Sequence, residues 1–386
     1  MNKPRAPYPW IIASQYFLYF GGMGVFLPYF NLYCYHIGFS GAQIGVLSAL
    51  KSISTVVVPL FISVIADRSN LRRPIYILCT FASAGTWVFF LLTRNFSWMF
   101  FITLVYGIFY APIISFLEAL TIDTLGGDKQ SYGTVRAWGS VSFILTVVFL
   151  GKLIDRFSIN IILISMLIVS ALQAVNALSL PRPETVKKMT TSPGPAFFLQ
   201  RKILIFLFCS FLMLASHGAY YGFFSIHLEN LGYSNAFIGM TWALASIAEI
   251  GAMVKSRAIF NRYSMESVLI GSFAVAAARW LLLARATTPA AIILTQTLHA
   301  VTYGTFHMAC ILYIDQNSPP EGKNMGQAVN NGVGYGLGLM AGFFLSGFLY
   351  ERIGTPSLFL ISALIALTGG LLFGGSVWMA KFKEGR

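Results

Sequence analysis

Eight ionisable side chains stand within long apolar stretches of this sequence. They are three cations, two carboxyls and three imidazoles: Lys51, Arg136, Arg279, Glu118, Glu249, His217, His299 and His307. A charge left unpaired in a lipid bilayer costs several kcal/mol. We therefore expect these groups to face an internal cavity and to pair with one another. Such a set can bind a polar solute or carry a proton, and the alternative is a set of ion pairs that hold helices together.

Glu249 is the acid that we predict to carry a coupled proton. It lies roughly eleven residues into its apolar stretch, near the middle of a bilayer at a rise of about 1.5 Å per residue. Arg279 stands in the next stretch, and His299 and His307 stand in the one after it. Histidine titrates near neutral pH, so a proton relay and a structural hydrogen-bonding role are both open. The predicted proton-coupling residues are Glu249, Arg279, His299 and His307.

A second group of residues suits a polar solute that carries a ring. Arg136 offers a rigid two-pronged donor for an anionic or hydroxyl-rich ligand, and pairing with Glu118 or Asp123 is the alternative. The nearby Trp138 could offer a stacking face to a ring. The predicted substrate-binding residues are Glu118, Arg136, Trp138, Lys51, His217 and Tyr221.

Metal and cofactor chemistry finds no support in the sequence. The four cysteines, Cys34, Cys79, Cys209 and Cys310, have no spacing typical of a metal site. The glycine-rich run Gly332–Gly338 lacks the Gly-Lys-Ser/Thr of a phosphate-binding loop, and close helix packing is the preferred interpretation. We predict no metal, no cofactor and no catalytic residue.

The elements that must position these residues are membrane-spanning helices. Of the 386 residues, 56% are hydrophobic and 10% are charged, and the mean hydropathy is +0.72. A soluble domain carries roughly 25% charged residues. The apolar stretches run to roughly 20 residues, the length that a transmembrane helix needs. The sequence therefore predicts an all-α membrane protein.

The distribution of positive charge predicts the orientation. We expect twelve transmembrane helices, placed at roughly 9–32, 42–66, 74–93, 98–122, 134–153, 159–180, 203–226, 237–254, 266–285, 290–314, 327–349 and 357–380. With both termini in the cytoplasm, 18 Lys and Arg residues lie inside and 5 outside, as the positive-inside rule requires. Orientation thus explains the net charge of +13 better than nucleic-acid binding does. We predict a multi-pass protein of the plasma membrane, in a bacterium the inner membrane.

The chain reads as two copies of one unit. The segment GFSGAQIG at 38–45 returns as GYSNAFIG at 232–239, an offset of 194 residues, and Ala66-Asp67-Arg68 returns at the same offset as Phe260-Asn261-Arg262. Transporters built from repeats bind substrate at the interface between them. A duplicated sequence therefore predicts a central substrate cleft.

The repeat also predicts the domain boundaries. We expect two pseudo-symmetric six-helix bundles at residues 1–180 and 203–386. The longest polar interruption, 181–202, contains four prolines and reads as a cytoplasmic linker between them.

The segment between the second and third predicted spans resembles a signature of the major facilitator superfamily. Residues 67–73, Asp-Arg-Ser-Asn-Leu-Arg-Arg, are similar to its Asp-Arg-x-Gly-Arg-Arg/Lys loop, with Asn70 in place of glycine and Leu71 in addition. The resemblance implies the twelve-helix major facilitator fold. It also implies that the loop forms a charged clamp, with gating residues Asp67, Arg68 and Arg72.

Further segments resemble one branch of that superfamily, the lactose permease-like proton symporters and above all the phenylpropionate permeases. The resemblance runs through both halves, at 132–140, 217–223, 248–249, 279–280 and 296–299. It implies substrate binding by Arg136 and Glu118, and proton handling by Glu249, Arg279 and His299. The sugar symporters also use a carboxylate in span 10, which this chain lacks at mid-depth, so an aromatic carboxylate is the favoured ligand.

These observations predict a secondary transporter rather than an enzyme. We expect proton-coupled symport that imports a small organic solute, such as an aromatic carboxylate, by alternating access. Nucleoside or oligosaccharide symport and drug export are the alternatives within transport, and a non-transporting membrane receptor or a membrane-embedded enzyme is the alternative outside it. The expected partners are the small-molecule substrate, protons and the lipid bilayer, with no nucleic acid, and the expected state is a monomer.

Overall fold

The computed structural model describes residues 8–69, 71–125, 129–181, 199–319 and 322–384, and this part of the chain is almost entirely helical. Its α-helices, numbered in chain order, are α1 Tyr8–His36, α2 Gly41–Ser69, α3 Arg72–Val88, α4 Phe96–Leu125, α5 Lys129–Arg156, α6 Ile161–Ala177, α7 Arg201–Ser216, α8 Gly218–Asn230, α9 Asn235–Val254, α10 Ser256–Arg262, α11 Met265–Leu283, α12 Pro289–Thr297, α13 Phe306–Asn317, α14 Lys323–Asn331 and α15 Leu339–Glu384. A 3₁₀ turn, Phe89–Leu91, extends α3. Two π-helical segments, Ala300–Thr305 and Gly332–Gly338, join α12 to α13 and α14 to α15.

The predicted all-helical, multi-pass architecture is confirmed. Among the described residues, nine helical stretches are long and apolar enough to cross a bilayer. The difference from the predicted count of twelve has three local causes. The apolar helix α6 has only 17 residues, π-helical backbone interrupts the predicted span at 290–314, and the last two predicted spans run together as Met325–Phe382.

A bend divides the long helix α15 where a loop was expected. Gly354 has a positive φ of 70°, and Pro356 follows within the same element. Glycine adopts this conformation without steric cost, and proline cannot donate the helical hydrogen bond. The element α15 continues through this bend. It covers residues 339–349 of one predicted span and the whole of the next predicted span, 357–380.

The sequence repeat is visible in the backbone at its first motif. Gly38 and Gly232 have φ values of 88° and 86°. Each lies in the same helix-ending pattern, in which Phe39 N–H donates to the Cys34 carbonyl and Tyr233 N–H donates to the Leu228 carbonyl. A backbone hydrogen bond of this kind, formed across a glycine of positive φ, is a very common end of an α-helix. The two copies of the motif therefore form the same backbone turn.

The described chain divides into two compact units. Unit 1 takes its described residues from 1–39, 54–189 and 234–240. Unit 2 takes its residues from 40–53, 190–233 and 241–386. The predicted six-helix domains at 1–180 and 203–386 stay a prediction.

Unit 1 has an aromatic core and a buried polar bridge. Trp87 and Phe90 are almost fully buried, and their ring centroids are 4.7 Å apart. The Tyr76 hydroxyl donates to Gln15 Oε1 at 2.7 Å, and the Gln15 amide donates to the Gln173 carbonyl at 3.2 Å. Buried polar groups are retained where they find such partners. The bridge links α1, α3 and α6.

Glycines allow close helix crossings within each unit. In unit 1, a Cβ at Gly239 of α9 would clash with the Val147 carbonyl of α5. In unit 2, a Cβ at Gly45 of α2 would lie 2.6 Å from the Phe343 carbonyl of α15 and 2.9 Å from Gly347 Cα. Small residues at such positions let two backbones approach closely, and helix interfaces in membranes are enriched in them.

An acidic side chain caps a helix beside each crossing. In unit 1, Asp155 accepts hydrogen bonds from the backbone N–H groups of Asn235 and Ala236, at 2.8 and 2.9 Å. In unit 2, Glu351 accepts one from Gly41 at 3.0 Å. Both carboxyls thus satisfy unpaired donors at a helix N-terminus, α9 in one unit and α2 in the other.

Candidate functional site

A fully buried arginine forms the centre of the candidate site in unit 2. Arg279 of α11 has no solvent-exposed surface. Its Nε donates to the Thr295 carbonyl at 2.7 Å, and its Nη1 lies 3.0 Å from His299 Nδ1 and 3.1 Å from Thr302 Oγ1. Its Nη2 reaches Gln296 Oε1 at 3.5 Å. Among the described residues, all of these hydrogen-bond partners are neutral.

The π-helical segment explains how these partners converge on Arg279. Thr295 and Gln296 lie near the end of α12, His299 directly precedes the π-helical segment, and Thr302 lies inside it. A π-helical turn widens the backbone and changes which side chains share a face. Sequence reasoning assumed a regular helix here and therefore did not find Thr302.

The hydrogen bonds define the tautomers of two neighbouring histidines. Arginine can only donate, so His299 Nδ1 accepts and its proton lies on Nε2. A backbone carbonyl can only accept, so His217 Nδ1 donates to the Met213 carbonyl at 2.9 Å. His217 Nε2 is then an acceptor, and it is buried with no hydrogen-bond partner among the described residues. The two imidazoles, 6.2 Å apart between centroids, therefore present one donor and one acceptor.

Aromatic rings surround this polar centre. The Arg279 guanidinium carbon lies 4.4 Å from the centre of the Tyr220 ring and 4.5 Å from that of Trp280. Tyr303 stacks on His299 at 5.1 Å, and Tyr221 lies 6.0 Å from His217. The rings of this cluster, called the aromatic cluster below, belong to His217, Tyr220, Tyr221, Trp242, Trp280, His299 and Tyr303. Trp242 was not selected from the sequence, because a lone tryptophan in an apolar span carries no distinguishing signal.

Glu249 of α9 lies beside the aromatic cluster. Its carboxyl lies within electrostatic range of the hydroxyls of Tyr220 and Tyr221. A Cβ at Gly304, in the π-helical segment, would lie 3.4 Å from Glu249 Cγ. The absence of a side chain at Gly304 therefore lets this segment approach α9. Three of the predicted proton-coupling residues, Glu249, Arg279 and His299, thus come from three different helical segments to one region of unit 2.

His307 connects to the same region through tyrosines. Its Nδ1 lies 2.7 Å from the Tyr335 hydroxyl, and its ring centroid is 6.1 Å from that of Tyr303. Tyr335 lies in the second π-helical segment, whose carbonyls at Tyr335 and Gly336 accept from Ser52 Oγ at 3.0 and 3.2 Å. Sequence reasoning explained this glycine run as packing and did not assign a role to its tyrosine. Lys51, the predicted substrate contact, directly precedes Ser52 on α2 and is half-buried.

Arg136 lies in unit 1, on α5. Its guanidinium carbon is 4.1 Å from the centre of the Phe20 ring and 5.5 Å from that of Tyr16. Glu118 on α4 feels its charge. Within the described residues, however, these two side chains form no direct ion pair. The guanidinium is thus stacked on aromatic rings and keeps donors for a further partner.

Trp138 points away from Arg136. Its side chain is 39% exposed, and its ring centroid lies 6.3 Å from that of Trp10. Residues that are two positions apart on a helix point about 200° apart around its axis, since each residue turns by about 100°. The structure therefore does not bring Trp138 together with Arg136.

Of the predicted gating residues, Arg72 has a described side chain. Its Nη1 forms an ion pair with Asp123 Oδ2 at 2.9 Å, linking α3 to the end of α4. The neighbouring Arg73 donates to the carbonyls of Leu178 and Leu180, both at 2.7 Å. The side chains of Asp67 and Arg68 lie outside the described residues.

Residues 9–361 match the family described as the MFS_1 like family. The chain belongs to this family. The expected resemblance to the major facilitator superfamily and its phenylpropionate permease branch is confirmed, and this MFS_1-like protein is a transporter rather than an enzyme.

Relatives of this MFS_1-like protein cover nearly its whole length. It is 28% identical over 361 residues to a "Probable 3-phenylpropionic acid transporter" of Escherichia coli (strain K12), covering 92% of this chain and 94% of the relative. It is 23% identical to a maltose permease of Geobacillus stearothermophilus, covering 92% and 91%. It is similar to the crystal structure of the nucleoside transporter NupG with a TM-score of 0.85 at 20% identity, covering 98% of this chain and 100% of that chain. The last likeness shows the major facilitator fold.

Proposed function

We propose that this transporter is a proton-coupled symporter that imports a small aromatic carboxylate by alternating access. The observation that carries the proposal is Arg279, a fully buried guanidinium whose described hydrogen-bond partners are all neutral, enclosed by the aromatic cluster. A buried charge is costly unless an opposite charge approaches it. A carboxylate ligand would supply that charge, and the rings would accept its apolar part.

The two neighbouring histidines place a hydrogen-bond donor and a hydrogen-bond acceptor at different points of the proposed site. His299 presents an Nε2–H donor, which suits a carboxylate oxygen. His217 presents an acceptor nitrogen, which suits a hydroxyl or a protonated acid. Tyr221 and Tyr303 lie with their ring centroids 6.4 Å apart, and an aromatic ligand gains from contact with such rings. The substrate-binding role of His217 and Tyr221 is thus retained, and Arg279 and His299 are added to it.

Glu249 remains the proposed proton carrier. It is half-buried, and its carboxyl lies within electrostatic range of the Tyr220 and Tyr221 hydroxyls beside the proposed site. His299 is less suited to accept the proton in this conformation, because protonation at Nδ1 would break its bond from Arg279. Arg136 and Glu118 of unit 1 are proposed as a second substrate contact, supported by a stacked guanidinium that forms no direct ion pair with Glu118 among the described residues.

The relative in Escherichia coli supports the proposed substrate class. Its name specifies 3-phenylpropionic acid, a ring joined to a carboxylate through a short chain. Other relatives are named for maltose and for a nucleoside. These solutes have rings or hydroxyls but no carboxylate. A test of whether the transported solute must carry a carboxylate therefore distinguishes an aromatic acid from a nucleoside or a sugar.

The test is uptake into proteoliposomes. The purified protein is reconstituted, and an outside-acid pH gradient is imposed with labelled 3-phenylpropionate, its amide, uridine or maltose outside. We expect accumulation of the acid alone, and loss of accumulation when a protonophore removes the gradient. Arg279→Lys should reduce uptake roughly tenfold, because lysine lacks the planar set of donors. Arg285→Lys, an exposed position just beyond α11, is the matched control. Equal uptake of acid and amide would reject the carboxylate, and accumulation of uridine or maltose would identify the alternative.

The orientation and the assembly state also remain proposals. We propose a bacterial inner-membrane protein with both termini in the cytoplasm, supported by the excess of Lys and Arg in the segments assigned to the inside. We propose a monomer as the assembly state. Size-exclusion chromatography with light scattering tests the assembly state, and side-specific labelling tests the orientation.

A further inference from the structure

A pocket lies in unit 2, and none of its lining residues belongs to the aromatic cluster. It has a volume of about 650 Å³. Its walls come from the N-terminal turns of α7 and α11, the C-terminal part of α13 and the last turns of α15. Its chemistry is carried by Arg201, Lys202, Glu266, Trp378, Lys381 and Phe382.

The pocket is positively charged. Arg201, Lys202 and Lys381 are all exposed, and Glu266 is half-buried. Three cations against one carboxyl leave a net charge of +2 on the lining. Glu266 stands in the first turn of α11, where the helix N-terminus already stabilises a negative charge. The three cations are therefore available for an anion.

One wall of the pocket is aromatic and open to the surroundings. Trp378 is 67% exposed and Phe382 is 53% exposed, and their rings stack at 5.7 Å. Lys202 Nζ lies 5.4 Å from the centre of the buried Tyr313 ring. Tryptophan is enriched where a membrane meets water, because its ring is apolar and its N–H is polar. The pocket thus combines a site for an anion with a surface for hydrocarbon.

The pocket lies at the level where two apolar stretches end. Arg201 begins the stretch Arg201–Asn230, and Phe382 ends the stretch Met325–Phe382. The ends of membrane-spanning segments lie in the headgroup region of the bilayer. Basic pockets between transmembrane helices at this depth bind anionic headgroups.

We propose that this pocket binds an anionic phospholipid. The phosphodiester is held by Arg201, Lys202 and Lys381, and the acyl chains lie along Trp378 and Phe382. The lipid is a resident of the bilayer and not a transported solute. The proposal therefore does not depend on which solute the aromatic cluster binds.

Native mass spectrometry of the detergent-purified full chain tests this proposal. Phosphatidylglycerol is compared with phosphatidylcholine of the same acyl chains. We expect retained phosphatidylglycerol adducts at lipid concentrations where phosphatidylcholine dissociates. Arg201→Gln, Lys202→Gln and Lys381→Gln together should weaken phosphatidylglycerol retention roughly tenfold or more, since each basic residue near an anionic headgroup contributes to attraction.

The matched control removes the same charge elsewhere in unit 2. Lys255→Gln, Arg257→Gln and Arg262→Gln are three exposed positions in and beside α10. This variant should retain phosphatidylglycerol as the unaltered protein does. Equal losses in both triple variants would show general charge attraction and overturn the proposal, as would equal retention of phosphatidylcholine.

Two further arms exclude misfolding and a soluble ligand. Lys381→Gln alone alters an exposed side chain, so it leaves the buried core intact, and it should still reduce retention. Glycerol 3-phosphate at millimolar concentration should not displace the lipid, because it lacks the acyl chains that contact Trp378 and Phe382. Displacement by glycerol 3-phosphate would reassign the pocket to a water-soluble phosphate and overturn the lipid proposal.

Discussion

His217 and His299 lie side by side, yet their hydrogen bonds give them opposite properties. His299 Nδ1 accepts from Arg279, and His217 Nδ1 donates to a backbone carbonyl. The remaining nitrogens are therefore a donor on His299 and an acceptor on His217. Neither property follows from residue type alone. At the scale of single residues, the site is defined by which neighbour each nitrogen meets.

The proton-coupling role of Glu249 gives the first prediction. Glu249→Gln preserves shape but cannot release a proton, so pH-driven accumulation should be abolished. Exchange of labelled for unlabelled substrate across equilibrated membranes should persist, because it requires no net proton movement. Glu229→Gln, at the end of α8, is the control and should accumulate substrate normally. An accumulation ratio in Glu249→Gln equal to that of the unaltered protein would refute the coupling role.

The second prediction concerns Arg136. If it binds the substrate carboxylate, Arg136→Lys should weaken acid binding by roughly 1.5–3 kcal/mol, the value of a charge-assisted hydrogen bond. The amide of the same substrate should bind weakly to the unaltered protein and be nearly indifferent to the change. Isothermal titration calorimetry with both ligands makes the comparison.

An alternative for Arg136 is that it only neutralises Glu118, whose carboxyl feels its charge. Acid and amide should then lose affinity alike in Arg136→Lys. The pair Glu118→Gln with Arg136→Gln should in that case restore binding together. Binding of the acid that is unchanged in Arg136→Lys would remove Arg136 from the substrate site.

At the scale of elements, interruptions of helices position the candidate site. The π-helical segment Ala300–Thr305 carries Thr302 to Arg279 and lets Gly304 approach Glu249. The π-helical segment Gly332–Gly338 carries Tyr335 to His307. Such segments are rare in proteins as a whole, and those that occur are frequently found at functional sites. They interrupt the regular helical hydrogen bonds, and tertiary contacts must compensate for that loss.

The third prediction concerns the close crossing of α2 with α15. A Cβ at Gly45 would lie 2.6 Å from the Phe343 carbonyl, so Gly45→Ala must push the two backbones apart. We expect a loss of stability of roughly 1–3 kcal/mol, the usual cost of overpacking. Gly85→Ala is the control, because nothing lies within 4 Å of its Cβ position. A thermal unfolding assay in detergent should show a lower Tm for Gly45→Ala only, and equal Tm values would contradict the crossing.

The fourth prediction concerns the ion pair between α3 and α4. Arg72 and Asp123 are 2.9 Å apart, with side chains only 15% and 17% exposed. Asp123→Asn removes the charge and keeps the shape, and should cost roughly 1.5–3 kcal/mol of stability. Lys323 and Asp315 form a pair whose side chains are 45% and 46% exposed, so Asp315→Asn should have little effect. A decrease in Tm as large for Asp315→Asn as for Asp123→Asn would show that burial of the Arg72 pair contributes nothing.

At the scale of the whole molecule, the two sequence repeats share backbone features but differ in their buried polar side chains. The repeats share helix-ending glycines at Gly38 and Gly232. Within the described residues, each unit also contains a close crossing between a helix of the first half and a helix of the second, with a capping carboxyl from Asp155 or Glu351. The aromatic cluster, by contrast, belongs to unit 2 alone. The two units therefore share these backbone motifs, and the aromatic cluster is particular to unit 2.

The fifth prediction tests the orientation of the whole chain. The four native cysteines are free and buried, so they should react little with a membrane-impermeant maleimide. A cysteine at Arg257 in α10 should be labelled only from the cytoplasmic side, and one at Arg285 beyond α11 only from outside. Both positions are exposed, so access depends on the side alone. The opposite pattern would invert the proposed topology.

The sequence by itself determined the class of this protein. A charged fraction of 10%, long apolar stretches, an offset repeat and the Asp-Arg motif predicted a multi-pass transporter of the major facilitator fold. Hydropathy and repeats are local or additive properties of the chain, so they can be read without coordinates. The same properties selected Glu249, Arg279 and His299, because an ionisable group in an apolar span stands out by type.

Only the tertiary structure decided how these groups meet. Thr302, Trp242 and Tyr335 are ordinary residues of apolar helices and gained meaning from a π-helical turn or a ring contact. Trp138 lies two residues after Arg136 along the chain, but the turn of α5 separates the two side chains in space. The tautomers of His217 and His299 depend on a carbonyl and a guanidinium that hydrogen-bond to them. Hydrogen bonding and backbone irregularity arise from three-dimensional neighbours, and a linear pattern does not encode them.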